Sequence, residues 1–291
     1  MLFQQLINGL MLGSVYALVA LGYTMVYGVM KFINFAHGDV YMWGGFIGLF
    51  LARLLGGNYF LVLILTMILT GILGVLVERI AYKPLRKSPR LVVTTSALGM
   101  SIVLSNLALL LIGSETYPMP KILAVRQIHL GSFAVINTTQ ILVLVIAVIL
   151  MFLLNWFVNH TRYGQAIRAA SEDSETAGLM GISMDQVLLV TFFVGSALGG
   201  AAGLLVGTYY DAIYSTMGYA AGLKAFTAAI LGGIGSIPGA MVGGLVLGVV
   251  ENFAGAWIPN YRDGIAFIVM ILVLLFKPGG LFNANIYQKR V

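Results

Sequence analysis

The chain contains no cysteine, which excludes disulfides, thiolate nucleophiles and zinc–sulfur centres. Charge is almost as scarce. Only 9% of the residues are Asp, Glu, Lys or Arg, against roughly 25% in a water-soluble domain whose surface must be wetted. Three histidines occur, His37, His129 and His160, with no i, i+4 pair and no His-Glu pattern for a metal. The Gly-Lys dipeptide of a phosphate-cradling loop is missing too, so ATP hydrolysis is not expected on this chain. These absences exclude a cytosolic enzyme, a disordered chain and a nucleic-acid-binding module.

What is present is apolar: 60% of the 291 residues are hydrophobic. An apolar helix needs about 20 residues to cross a bilayer. Charge-free apolar stretches occupy 6–30, 40–56 (interrupted by Arg53), 59–77, 91–112, 140–158, 187–208 and 265–276. The first has no basic segment ahead of it and runs on unbroken to Met30, so it reads as a retained span rather than a signal peptide. A further apolar region, 222–253, is broken by Gly232-Gly-Ile-Gly-Ser-Ile-Pro-Gly239. It is too long for one helix and short for two ordinary ones. The expected fold is an all-α polytopic transmembrane helix bundle forming a single domain over 1–291. About eight spans are counted if 222–256 is a broken or re-entrant hairpin.

Orientation follows from the basic residues, since positive charge accumulates on the cytoplasmic side. Arg79, Lys83, Arg86, Lys87 and Arg90 form the densest cluster. Placing them in the cytoplasm puts the amino terminus outside and the 159–186 loop, with Arg162 and Arg168, inside. If 222–256 enters and leaves on one side, Lys277, Lys289 and Arg290 also fall inside, as does Lys31. Arg53, Lys121, Arg126, Lys224 and Arg262 then remain outside. The net charge of +6 is thereby an orientation label rather than a nucleic-acid footprint.

The 36 glycines include Gly9/Gly13, Gly195/Gly199/Gly203 and Gly244/Gly248, the small-residue spacing that lets membrane helices approach closely. Ionisable residues fall mostly at helix ends and in loops, with no clear mid-membrane carboxylate of the kind a proton-coupled carrier uses. A sodium-coupled carrier, which can bind its ion through unwound backbone carbonyls, stays open. Gly235-Ser236 has no accompanying base and reads as a turn.

The 159–186 loop is the most informative segment. Ser171 or Ser174 is placed to cap a short helix with Glu172, Asp173 and Glu175 at its positive end. Ala177 and Met180 give it a small apolar face, and Gly181 is placed to end it. An ordinary solvated connecting helix fits these residues equally well.

Glu175-Thr-Ala177 with Gly181 resembles the cytoplasmic coupling segment of ABC importer permeases, with Thr in place of the pattern's middle Ala. A wider likeness covers nearly the whole chain. Gly9-Leu-Met-Leu-Gly-Ser-Val-Tyr-Ala-Leu-Val-Ala-Leu-Gly22, Tyr27-Gly-Val-Met-Lys-Phe-Ile-Asn-Phe-Ala-His-Gly-Asp39 and Glu78-Arg-Ile-Ala-Tyr-Lys-Pro-Leu-Arg86 carry it, as do 162–170 and 228–240. These segments resemble the branched-chain amino acid ABC transporter permease family, in its LivH-type subunit.

The resemblance implies an ABC importer permease-like bundle in a bacterial cytoplasmic (inner) membrane. The importer would take up branched-chain amino acids, with urea or short amides as alternative cargoes. The implied partners are a second homologous permease, two ATP-binding cassette subunits carrying ATP and Mg, and an external substrate-binding protein. This chain itself would hold no cofactor. Arg168, Glu172, Glu175, Ala177 and Gly181 become expected ATPase-coupling residues.

Asn34, His37 and Asp39 are pathway or gate candidates at or just inside the cytoplasmic junction of the first two spans. Asn34 and Asp39 also suit the amino end of a helix, so a structural role stays open. Gly232, Gly233, Gly235 and Pro238 are pathway candidates because unwound backbone is tolerated where it lines a cavity; a tight packing turn is the alternative. From other classes, a stand-alone secondary carrier and a structural membrane subunit also fit the composition.

Overall fold

A computed structural model describes residues 2–122, 125–130 and 134–282. Lys289 and Arg290, read above as part of the basic carboxyl terminus, lie outside the described residues. Among the described residues, six helical segments are long and apolar enough to cross a membrane: Leu2–Met30, Tyr59–Leu85, Arg90–Leu111, Thr138–His160, Met184–Tyr210 and Ile237–Trp257. The bundle is all-α apart from one small hairpin.

In chain order the helices are α1 (Leu2–Met30), α2 (His37–Leu55), α3 (Tyr59–Val77), α4 (Arg90–Leu111), α5 (Thr138–His160), α6 (Arg162–Glu172), α7 (Ser174–Leu179), α8 (Met184–Tyr210), α9 (Met217–Gly232), α10 (Ile237–Trp257) and α11 (Arg262–Phe276). The third apolar stretch does not stop at Val77. It continues through a π-turn, Glu78–Tyr82, and a 3-10 turn, Lys83–Leu85, before Pro89 turns the chain into α4.

Helices α1 and α8 form the buried centre, and glycine spacing explains how closely the others approach. Gly9 and Gly13 of α1 face Gly248 and Gly244 of α10, where an added methyl would meet backbone atoms. Gly195 abuts Gly22, and Gly44 of α2 abuts Gly200 of α8. The small-residue spacing seen in the sequence is therefore the α1–α10 packing surface and, on α8, the surface that meets α1 at Gly195 and α2 at Gly199 and Gly203. Helices α4, α5 and α11 instead turn large apolar side chains outward, among them Ile102, Leu110, Phe152 and Leu275.

One end of the bundle gathers the start of α1 with the start of α5 and the ends of α8 and α10. Gln140 Nε2 donates to Asn8 Oδ1 at 3.0 Å and lies 3.4 Å from the Tyr209 hydroxyl, and Asn252 Nδ2 donates to the Gln5 carbonyl at 2.7 Å. An antiparallel pair, β1 (Gln127–Leu130) and β2 (Ala134–Asn137), sits there. Val135 N donates to Gln4 Oε1, and the chain enters α5 through a capping box of Asn137 and Gln140.

The opposite end carries α6, α7 and the turn between α9 and α10. The region 222–256 is broken only once, at residues 233–236, and so forms two antiparallel helices. Gly233 and Gly235 adopt positive φ, +102° and +98°, a conformation only glycine reaches without strain. Ser236 Oγ then caps α10 by accepting from Gly239 N at 3.2 Å, with Pro238 in the first turn. Because α9 and α10 form a hairpin, α11 returns to this end. There Leu281 N donates to the Leu231 carbonyl at 2.8 Å.

One connection is used twice. Lys31 (φ +56°) ends α1, and the chain folds back to start α2 at His37; Asp211 (φ +52°) ends α8, and the chain folds back to start α9 at Met217. Both pairs are separated by the same number of residues. Each fold-back starts the next helix inside the bundle rather than at its end: His37 Nε2 lies 3.2 Å from the carbonyl of Val19, in the middle of α1.

Candidate translocation and coupling sites

Two of the larger cavities among the described residues lie towards opposite ends of the bundle. The first, about 390 Å³, lies between α1, the α8–α9 fold-back and the α10–α11 corner. Leu12, Val15, Val19 and Val206 give it an apolar wall, and Tyr16, Tyr41, Tyr210 and Tyr214 also line it. Its remaining wall is charged. Lys224 Nζ lies 2.8 Å from Glu251 Oε1 and 2.6 Å from Asp263 Oδ1, and Arg262 Nε lies 3.1 Å from the same Glu251 oxygen.

This cluster corrects the expectation that charges stay at helix ends and in loops. Lys224 is in the second turn of α9 and buried, and Glu251 of α10 is fully buried. The pair went unrecognised because each residue stands alone in an apolar stretch. The available signal was one cation and one anion on opposite arms of the hairpin, which a turn at Gly233–Ser236 can bring within reach of each other. A buried pair of this kind is tolerated because each charge offsets the other, and removing either partner would strand the one left.

Beneath the cavity floor sit Asn34, His37 and Asp39, all buried. Val19 lines the floor while its carbonyl holds His37, whose ring packs edge-on against Tyr23 at 4.8 Å. Asp39 lies in the first turn of α2, but its carboxylate reaches α4, where Ser105 Oγ donates at 2.6 Å and Ser101 Oγ to the other oxygen. Ser101 is near the middle of α4, so Asp39 is a carboxylate at mid-span depth, which the sequence reading did not find. Both its oxygens are engaged by hydroxyls.

Asn34 does not cap α2; Ala36 precedes the helix without a side-chain cap. Its side chain accepts a hydrogen bond from the Tyr82 hydroxyl at 2.6 Å instead. Tyr82 stacks on Phe32 at 5.4 Å and leans on Phe192 at 5.1 Å. These aromatics fill the bundle on the α6–α7 side of His37. They escaped sequence reasoning because Tyr82 lay in what looked like a loop.

The second cavity, about 300 Å³, opens at the α6–α7 end. It joins α1 (Thr24, Met25, Gly28), α5 (Asn155, Val158, Asn159), α6 (Ile167, Arg168, Ser171, Glu172) and the hairpin turn from Gly235 to Pro238. The structure thus brings Arg168 and Glu172 to Gly235 and Pro238, two groups of candidates from distant parts of the sequence. Gly232 and Gly233 pack behind the turn against Gly239, Gly243 and Gly280. Arg168 donates to the Val158 carbonyl at the end of α5, which positions α6 on the bundle. Lys31 lies within electrostatic reach of Glu172; burial pushes its ammonium below the usual lysine value, and the Glu172 carboxylate opposes that shift.

The expected single short helix is two. Thr161 caps α6, and Asp173, rather than Ser171 or Ser174, caps α7: its Oδ1 accepts from Glu175 N at 3.0 Å and Thr176 N at 3.1 Å. The Ser171 hydroxyl donates back to the Arg168 carbonyl. Gly181 ends α7 at φ +84°, with Ile182 N donating to the Ala177 carbonyl and Gly181 N to that of Gly178, a Schellman closure. Ala177 is buried while Glu175 is exposed. Leu179 and Met180 are 85% and 79% exposed, an apolar tip at the end of the bundle. Among the described residues, no three His, Asp or Glu side chains gather as metal ligands.

A family described as branched-chain amino acid transport system / permease component matches residues 5–274. The chain is 45% identical to the high-affinity branched-chain amino acid transport system permease protein BraD of Pseudomonas aeruginosa, over 98% of this chain and 97% of that one. It is 42% identical, with the same coverage, to the permease protein LivH of Escherichia coli. The probable branched-chain amino acid transport permease protein LivH of Methanocaldococcus jannaschii is 28% identical over 92% of this chain and 88% of its own length. No solved structure matches. The chain belongs to the branched-chain amino acid transport system permease family.

Proposed function

We propose that this chain is the membrane-spanning permease subunit of an ATP-driven importer for branched-chain amino acids. The observation that carries the reading is the likeness to branched-chain amino acid permeases along almost the entire chain. The bundle offers a path for such a cargo: a cavity at one end, a packed aromatic layer beneath it and a second cavity at the other.

The α6–α7 end faces the cytoplasm in this reading, because Arg79, Lys83, Arg86, Lys87, Arg90, Arg162 and Arg168 belong to segments at that end. The amino terminus then lies outside and the carboxyl terminus inside, with the α9–α10 hairpin and seven further helices embedded. A second permease completes the path, and two ATPase subunits, which bind ATP and Mg, dock on α6 and α7. An external binding protein delivers cargo at the β1–β2 end. Leu179 and Met180 are the apolar contact for an ATPase, and Arg168 and Glu172 transmit its movement to the hairpin turn through the second cavity. Gly181 and Asp173 fix the shape of the docking helix.

The test is reconstitution in liposomes of the chain with its partner permease, ATPases and binding protein. Leucine, isoleucine and valine uptake should require ATP and every subunit. Uptake by this chain alone on an ion gradient, or an intact complex that imports none of the three, would overturn the reading.

A further inference from the structure

The charged wall of the larger cavity has a feature that its internal pairing leaves unexplained. Lys224 and Arg262 both converge on one oxygen of Glu251, while the other, Oε2, is buried with no donor in hydrogen-bond geometry, the Tyr16 side chain being the group nearby that interacts with this carboxylate. An unpaired buried carboxylate oxygen is costly, and this one belongs to a residue lining a cavity of ligand size: about 390 Å³, against about 300–1,000 Å³ for small-molecule sites. Across from it, Arg262 engages Glu251 through Nε and keeps a side chain 37% exposed. Its guanidinium is the group best suited to a carboxylate.

We propose that this cavity binds the cargo as a free amino acid zwitterion, with the ammonium on Glu251 Oε2, the carboxylate on Arg262 and the branched side chain against Leu12, Val15, Val19 and Val206. The inference rests on the importer reading and adds the recognition chemistry.

Charge balance argues for a zwitterion over a simple anion or cation. Lys224 and Arg262 offset Glu251 and Asp263, so the wall is formally neutral but polarised. An amino acid brings no net charge and both signs, and it can align with that wall. A lone carboxylate or amine would introduce an uncompensated charge into a partly dehydrated site. The aliphatic wall suits branched alkyl groups and offers urea no matching surface.

The absence of cysteine provides the test. In the complete transporter, Ala221→Cys places a thiol in the cavity wall with little change in volume, and Ala220→Cys is a second position. Modification by a water-soluble methanethiosulfonate is followed on this chain with and without leucine, 4-methylpentanoate or 3-methylbutylamine. These two analogues keep the branched chain but lack the ammonium and the carboxylate, respectively. Leucine should slow modification at least fivefold, and neither analogue should slow it twofold. Equal protection by either analogue, or no protection by leucine in a complex that still imports it, overturns the proposal. Failure of the complex without the introduced cysteine to import leucine would instead count against the importer reading.

Discussion

Gly38 and Gly218 stand face to face, each where the other's side chain would be: a methyl on Gly38 would come within 2.5 Å of the Gly218 carbonyl oxygen, and one on Gly218 within 2.6 Å of the Gly38 carbonyl oxygen. The reciprocity reflects the repeated fold-backs, since each glycine is the second residue of a helix that starts inside the bundle. The two elements meet at equivalent positions, as the halves of an internal repeat do about an axis of pseudo-symmetry. The obstructing atoms are backbone, so neither side can yield by changing a rotamer. Gly38→Ala and Gly218→Ala should each destabilise the chain by about 1–3 kcal/mol, the ordinary range for overpacking. Thermal unfolding in detergent measures this, and the two losses should be similar. An unchanged midpoint in either variant would contradict the close approach.

The Asp39–Ser101–Ser105 contact joins α4 to the rest of the bundle, together with a 3.1 Å hydrogen bond from Trp43 Nε1 to the Leu104 carbonyl. Most of α4 is otherwise exposed apolar surface. Replacing both serines by alanine leaves a buried carboxylate without its donors, a loss of about 1–3 kcal/mol or more. The effect should concentrate in α4. Hydrogen exchange should accelerate across Arg90–Leu111 and little in α1 or α8. Uniform acceleration through the bundle would show that α4 is not held independently.

The proposed coupling through α7 makes a different demand, because in it the helix's shape matters more than its stability. Asp173→Ala removes a cap worth about 0.5–2 kcal/mol, and Gly181→Pro combined with Ala177→Trp distorts both the closure and the buried face of the helix. The capless variant should retain part of the leucine uptake. The combined variant should insert in the membrane yet lose uptake, and its ATP hydrolysis should no longer respond to leucine-loaded binding protein. Normal uptake in the combined variant would remove α7 from the coupling path.

Much of the bundle was legible because lipid imposes a simple rule: backbone polar groups must be satisfied within helices, and side chains there must be apolar. Gly181 as a helix stop and a break within Gly232–Gly239 followed instead from local backbone chemistry. What escaped was long-range. Lys224 and Glu251 are separated by most of a hairpin, and nothing local says that they pair. Asp39 read as a helix-start residue because that is a common local role; its partners are hydroxyls on α4, and serine is ordinary in any helix. Tyr82 sat in a basic stretch that resembled a loop, and the continuation of α3 through a π-turn placed it against Phe32 and Asn34.

Sidedness is open to direct measurement because every introduced cysteine is the only one in the chain. Leu179 of α7 and Ile234 of the hairpin turn lie at one end of the bundle, and Trp257 closes α10 at the other. The proposed orientation, from positive charge, puts the first end in the cytoplasm. In intact spheroplasts, an impermeant maleimide should therefore modify Trp257→Cys at once and leave Leu179→Cys and Ile234→Cys untouched until the membrane is opened. The reverse pattern would invert the orientation and detach α6 and α7 from any cytoplasmic ATPase. Labelling of Ile234→Cys together with Trp257→Cys would mean that the hairpin turn does not reach the α6–α7 side. The second cavity could not then link Arg168 and Glu172 to Gly235 and Pro238, and the hairpin would lose its proposed part in transmitting ATPase closure.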